Sequence, residues 1–252
     1  MVKDFKFSDK TKSWSLIGRN GEDLGEYDWL AVTSSSVVHK RWTDIYGGPP
    51  PLETAARALG DKGLSATLDE IGQLRGDPVF VVMQAFEKGS AALDKFPANL
   101  LHVRNDTAVA KIIVTTDGGY HTVIVHSTHE FAHSAAKTHG RGGTAEAMGA
   151  RSDSKDEKSV IGTLLSSFEK VCSSIGVEAP KGRACYGPAL HRWGAAFPAN
   201  IPSPTSSKPF RIHAQARLIF AGDFLAIPGG RIETSYLSGA GAAEDLLAYY
   251  NS

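Results

Sequence analysis

At 252 residues and 42% hydrophobic content, the chain is long enough to bury one large core or two smaller ones. Lysine plus arginine and aspartate plus glutamate balance at 27 each, and no basic stripe is interleaved with aromatics, which argues against a nucleic-acid surface and for a small-molecule partner. Cys172 and Cys185 are too few for a disulfide framework and lack metal-ligand spacing, so they read as small hydrophobes in a reducing compartment. The first residues carry no apolar run behind a basic start, and no stretch reaches bilayer length, so the sequence predicts a cytoplasmic protein without a membrane partner.

The N-terminal segment reads as a β-meander. Phe5 and Phe7 alternate with polar residues, Trp14 to Ile17 runs extended, and Asn20-Gly21 supplies a hairpin signal. Tyr27 to Val32 is nearly all apolar, as in a strand covered on both faces. Two helical patterns follow, at Leu52 to Leu59 and Ala66 to Leu74. Strands are predicted at Val79 to Phe86, Ala108 to Thr115 and Thr122 to His126, the last two joined at Gly118-Gly119. Gly140 to Lys158 is polar and small, which predicts a surface loop, and Val160 to Ile175 repeats at helical spacing. Alternation returns around 183–197, a Pro-rich loop spans 197–210, and Arg217 to Ala221 is strand-like. The final element is a helix over Ile232 to Tyr250, with Tyr236, Leu237, Ala240, Ala243, Leu246 and Leu247 on one face.

The C-terminal stretch carries the most chemistry. At Gly222-Asp223 a strand end lets backbone approach a ligand, and the carboxylate can accept from ligand hydroxyls. Gly229-Gly230 permits sharp entry into a helix whose first N–H groups, near Ile232 and Glu233, form a positive pole. This pattern is similar to the C-terminal motif of the flavin amine-oxidase superfamily, and Leu190 to Pro198 (LHRWGAAFP) resembles the His-Arg-Trp segment of its renalase-like members. YDWLAVTSSSVVHK, DPVFVVMQAF and TVIVHSTHEFA resemble further renalase-like segments in order. The sequence departs from the family pattern at Phe131, Thr234 and Ser235.

The resemblance implies an α/β (mixed α+β) fold: a partial FAD-binding domain of the amine-oxidase type, residues 1–36 and 214–252, around a mixed-sheet substrate domain, 37–213. It implies FAD as cofactor, contacted by Gly222, Asp223, Gly230, Arg231, Ile232 and Glu233, with Trp193 on the substrate side. The implied activity is that of a truncated renalase-like oxidoreductase, passing hydride from a dihydronicotinamide-type substrate to the flavin, with reoxidation by dioxygen. The family's opening G-x-G-x-x-G unit is not in the sequence, since Gly18, Gly21 and Gly25 are spaced as hairpin glycines. A missing N-terminal segment or a partner chain would therefore complete the FAD site. The alternative is a noncatalytic remnant that binds a partner or a nucleotide.

A third reading starts from His129-Glu130-Phe131-Ala132-His133, which fits H-E-x-x-H, with His139 as a candidate third ligand. On a helix capped by Thr128, His129 and His133 would hold zinc while Glu130 activated its water. Ala136 stands where the motif turns on Gly, and Met148 lies too near to form the Met-turn.

Overall fold

The computed structural model describes residues 2–87, 89, 93–140, 153–182, 184–200, 208–225 and 229–251. They form two compact units, one from residues 1–76 and 197–252, the other from 77–196. These units divide the chain at 76/77 and 196/197. Residues 37–76 and 197–213 join the first unit because their helices and strand complete its core.

That unit opens with the predicted meander: β1 (Val2–Ser8), β2 (Ser13–Gly18) and β3 (Asp23–Tyr27), antiparallel in that order. Gly21, at φ 84°, makes the turn between β2 and β3, and Gly18 and Gly25 lie within the strands. β4 is short, Leu30–Val32, and Ala31 is exposed, so the predicted strand over 27–32 is neither as long nor as covered as its apolar composition suggests. β4 instead runs parallel to β11 (Leu218–Ala221), which pairs on its other side with the antiparallel β10 (Phe210–His213). β10 is four residues long and is not evident in the sequence.

The helices of the first unit are α1 (Arg41–Tyr46), α2 (Pro51–Arg57) and α3 (Lys62–Gly72). Asp61 caps α3 by accepting from the Leu64 amide at 2.9 Å. α2 packs on β1 and α3. Leu52, Leu64, Leu68 and Ile71 meet Phe5, Trp14, Leu218 and Phe220 in one buried cluster. Trp14 has no exposed surface, and its indole N–H donates to Ala216 O at 2.8 Å.

The second unit is a sheet in the order β6-β7-β8-β5-β9, with β5 Gly76–Glu87, β6 Leu100–His102, β7 Val109–Asp117, β8 Tyr120–Ser127 and β9 Tyr186–Pro198. From β6 through β5 every pairing is antiparallel. A short α4 (His129–Ser134) follows β8, and α5 (Ser154–Ser174) covers one face of the sheet through Val160, Leu164, Phe168 and Val171. α5 begins inside the segment predicted as loop, because Asp153 caps it by accepting from the Lys155 amide at 2.7 Å. The rest of that prediction, 141–152, lies outside the described residues, as do 201–207 of the Pro-rich loop. α6 (Ile232–Tyr250) closes the chain with the predicted bounds and packs on β10 and β11. No described helix is long and apolar enough to cross a membrane.

Candidate functional site

All six residues expected at the cofactor lie in the first unit, around the end of β11 and the start of α6. Gly222 follows β11 at φ 148°, a backbone conformation that side chains rarely adopt. A Cβ there would stand 3.0 Å from the Phe224 ring and 3.3 Å from Thr33 O, so the glycine is required by the chain's own packing. Its N–H donates to Ser238 Oγ at 2.8 Å, and the Ser238 hydroxyl donates to Pro209 O at 2.6 Å. Ser238 has no exposed surface, so it fixes the spacing between the end of β11, the approach to β10 and α6.

Asp223 is half-buried, and among the described residues its carboxylate has neither a hydrogen bond nor an ion pair. A carboxylate so placed retains its full acceptor capacity for hydroxyl or amide donors. Residues 226–228, which lead from this strand end toward α6, lie outside the described residues. Gly229 and Gly230 fit against Phe197 and Pro198: a Cβ on Gly229 would meet Pro198 at 2.8 Å, and one on Gly230 would meet Phe197 at 2.9 Å. Gly230 also sits at φ 74°.

Arg231 is the N-cap of α6, but its side chain makes no capping hydrogen bond. Its carbonyl accepts from the Ser235 amide and from the Thr234 and Ser235 hydroxyls. The amides of the first turn, starting at Ile232 and Glu233, therefore keep the positive pole of a 19-residue helix. Thr234 and Ser235, the departures from the family pattern, spend their hydroxyls on the helix's own backbone. Ile232 is 91% exposed, so the helix entry is open on that side.

The small residues of α6 divide by neighbour. Gly241 lies under the Phe210 ring, where a Cβ would come within 2.7 Å, whereas Gly239 has open space. The buried face is Ser238 and Ala242, while Tyr236, Leu237 and Leu247 are more than half exposed. Of the apolar face that the sequence marks, Leu246 packs against the cluster of Phe210, Ile219, Ala221 and Ala242, whereas Tyr236, Leu237 and Leu247 are turned outward. At 100° per residue, Ile232, Tyr236, Ala240, Ala243, Leu247 and Tyr250 form one stripe beside the buried face. Its last member, Tyr250, accepts from the Trp29 indole N–H at 2.8 Å.

Trp193 belongs to the second unit, on β9, 56% exposed and edge-on to His191 with ring centroids 4.6 Å apart. The histidine motif is also in that unit. Thr128 caps α4 as predicted, accepting from the Phe131 amide at 3.1 Å. His129 Nδ1 lies 3.0 Å from Pro78 O, and His133 Nε2 lies 3.7 Å from Asp77. His139 stands beyond the helix end, where burial and then the Arg192 charge lower its pKa. α4 ends at Ser134, so His139 does not share its face. No group of three or more His, Cys, Asp or Glu side chains that could hold a metal is found among the described residues.

No family model and no curated protein matches the sequence. Solved structures do match in fold. Cyclohexylamine oxidase from Brevibacterium oxydans aligns with a TM-score of 0.50 at 12% identity, over 98% of this chain and 48% of its own. An oxidoreductase from Methanosarcina mazei aligns at 0.52 and 11%, over 96% of this chain and 48% of its own. A redesigned putrescine oxidase aligns at 0.50 and 11%, again over 98% and 48%. The α/β fold is shared with half of each of these chains. The present sequence spans about half the length of the solved structures it matches.

Proposed function

We propose that the chain belongs to a renalase-like, FAD-dependent oxidoreductase whose cofactor is held by the first unit. The carrying observation is the Asp223 carboxylate at the strand end, unpaired among the described residues, in the same unit as the positive end of α6, which no side chain caps. The fold shared with amine oxidases supports the reading, and the order of the renalase-like segments in the sequence agrees with it.

These residues fit a flavin in two respects. Asp223 offers an acceptor for the hydroxyls of the ribityl chain. The amides at Ile232 and Glu233 offer partial positive charge to the pyrimidine edge of the ring, where negative charge collects on reduction. Gly222 contributes by conformation alone, because its N–H is already held by Ser238. When bound, the flavin supplies hydride acceptance from a dihydronicotinamide-type donor and reoxidation by dioxygen. The protein's share is to orient the ring, stabilise its charge and position the donor, with Trp193 as the substrate-side candidate.

Flavin uptake tests the reading. Protein mixed with FAD should acquire a bound flavin spectrum that bleaches anaerobically with a dihydronicotinamide isomer, and Asp223→Ala should weaken FAD binding by roughly tenfold. Colourless protein that takes up no FAD would sink it. The exposed stripe on α6 favours a second reading, a noncatalytic module that binds a partner. No FAD uptake, together with self-association that Tyr236→Lys abolishes, would select it.

A further inference from the structure

The sheet of the second unit has two chemically different faces. Along β8, His121, Val123, Val125 and Ser127 are buried, whereas Thr122, Ile124 and His126 alternate to the opposite side and are only half-buried. Val123 and Val125 meet α5 in the core, so the second set faces away from that helix. The register places Lys111 of β7 and Val81 of β5 on either side of His126. On β9, Leu190 belongs to the core and the Arg192 guanidinium lies 5.8 Å over core Phe80, so His191 and Trp193 share the face of His126. The floor between these groups is apolar, with Met83 and Ile113 each opposite Ile124.

Lys111 and His126 are both half-buried, and among the described residues neither has a hydrogen bond or an ion pair. On β5 the carboxylate of the same parity as Val81 is Asp77, four residues down the strand and 3.7 Å from His133. Among the described residues the ammonium therefore has no counter-charge beside it, an unfavourable state for a half-buried cation that a bound anion would relieve. Burial, and then the Lys111 charge, push the His126 pKa down to about 4. The imidazole is thus neutral at pH 7 and brings one N–H donor without a second positive charge.

We propose that Lys111 and His126 form a binding site for a phosphate ester on the sheet face opposite α5. Lys111 supplies the charge and His126 the directed N–H. Directly opposed residues on adjacent strands have Cβ atoms roughly 5 Å apart, a separation that lets two donors reach different oxygens of one phosphate. As the anchor for the phosphate of a dihydronicotinamide nucleotide the site rests on the oxidoreductase reading above. Phosphate binding itself requires no flavin.

The test is a titration of the flavin-free protein at pH 7 with nicotinamide mononucleotide and, separately, with nicotinamide riboside, which lacks the phosphate. The His126 imidazole signals are followed by NMR. The mononucleotide and inorganic phosphate should shift those signals and the riboside should not. Lys111→Met, which keeps the aliphatic stem, should weaken mononucleotide binding by about tenfold, and Lys111→Arg should largely restore it. The thermal melting temperature of each variant separates lost binding from lost folding. His126 signals unmoved by the mononucleotide, or Lys111→Met binding as tightly as wild type while remaining folded, would overturn the site. Mononucleotide binding without FAD uptake would sink the oxidoreductase reading and leave the site standing; FAD uptake with unmoved His126 signals would do the reverse.

Discussion

Ser238 accepts one hydrogen bond and donates another without any contact with solvent, so its hydroxyl is committed to the fold. Ser238→Ala should strand the Gly222 amide and the Pro209 carbonyl and cost about 1–3 kcal/mol, read as a lower urea midpoint at unchanged slope. A variant as stable as wild type would show that water replaces the hydroxyl. The Gly-Asp pair is visible in the sequence, but its division of labour is not. The structure gives Gly222 a packing reason in Phe224 and Thr33 and leaves Asp223 as the group with an uncommitted acceptor. Spacing cannot distinguish these, because whether a polar atom is already satisfied depends on partners far away in the chain. Lys111 and His126 were hidden for the same reason: only the β7–β8 register makes neighbours of residues 15 positions apart.

α6 shows what periodicity resolves and what it does not. Its bounds were legible because no proline interrupts the residues from Ile232 to Tyr250, and apolar residues recur along them. Its buried side was not, since close approach to Phe210 selects the small residues Gly241 and Ala242, with Leu246 beside them, while Tyr236, Leu237 and Leu247 remain outside. β6 and β10, three and four residues long, are too short for alternation to stand out. β10 matters nonetheless, because Arg211 on it reaches back to Glu70 of α3 with Nη2–Oε1 at 2.6 Å and Nε–Oε2 at 3.2 Å. Both side chains are at least nine-tenths buried. Arg211→Met leaves the Glu70 carboxylate without its counter-charge and should destabilise the protein by about 3–5 kcal/mol. The double change Arg211→Met with Glu70→Leu should recover much of that loss in denaturant melts. Equal stability of the single variant and wild type would show that the pair contributes nothing.

At the scale of the molecule, alternation and helical spacing located most elements but did not give the division of the compact units at 76/77 and 196/197. The apolar faces of α2 and α3 announce that they are buried without naming the sheet that buries them. The two passages between the units are held side by side within the first unit. The Ala199 amide donates to Arg75 O at 2.8 Å, the Asn200 side chain accepts from the Arg75 amide, and its NH2 donates to Gln73 O at 3.1 Å. This clasp has a topological consequence. To the first unit, residues 77–196 are a single excursion whose exit and return share one hinge pin, so their removal should leave its core intact. Joining Gly76 to Phe197 through a linker of about four residues should yield a chain that unfolds cooperatively, with circular dichroism and tryptophan fluorescence changing together. A gradual, non-cooperative transition would mean that the excursion, and not the clasp, keeps the two halves of that core together.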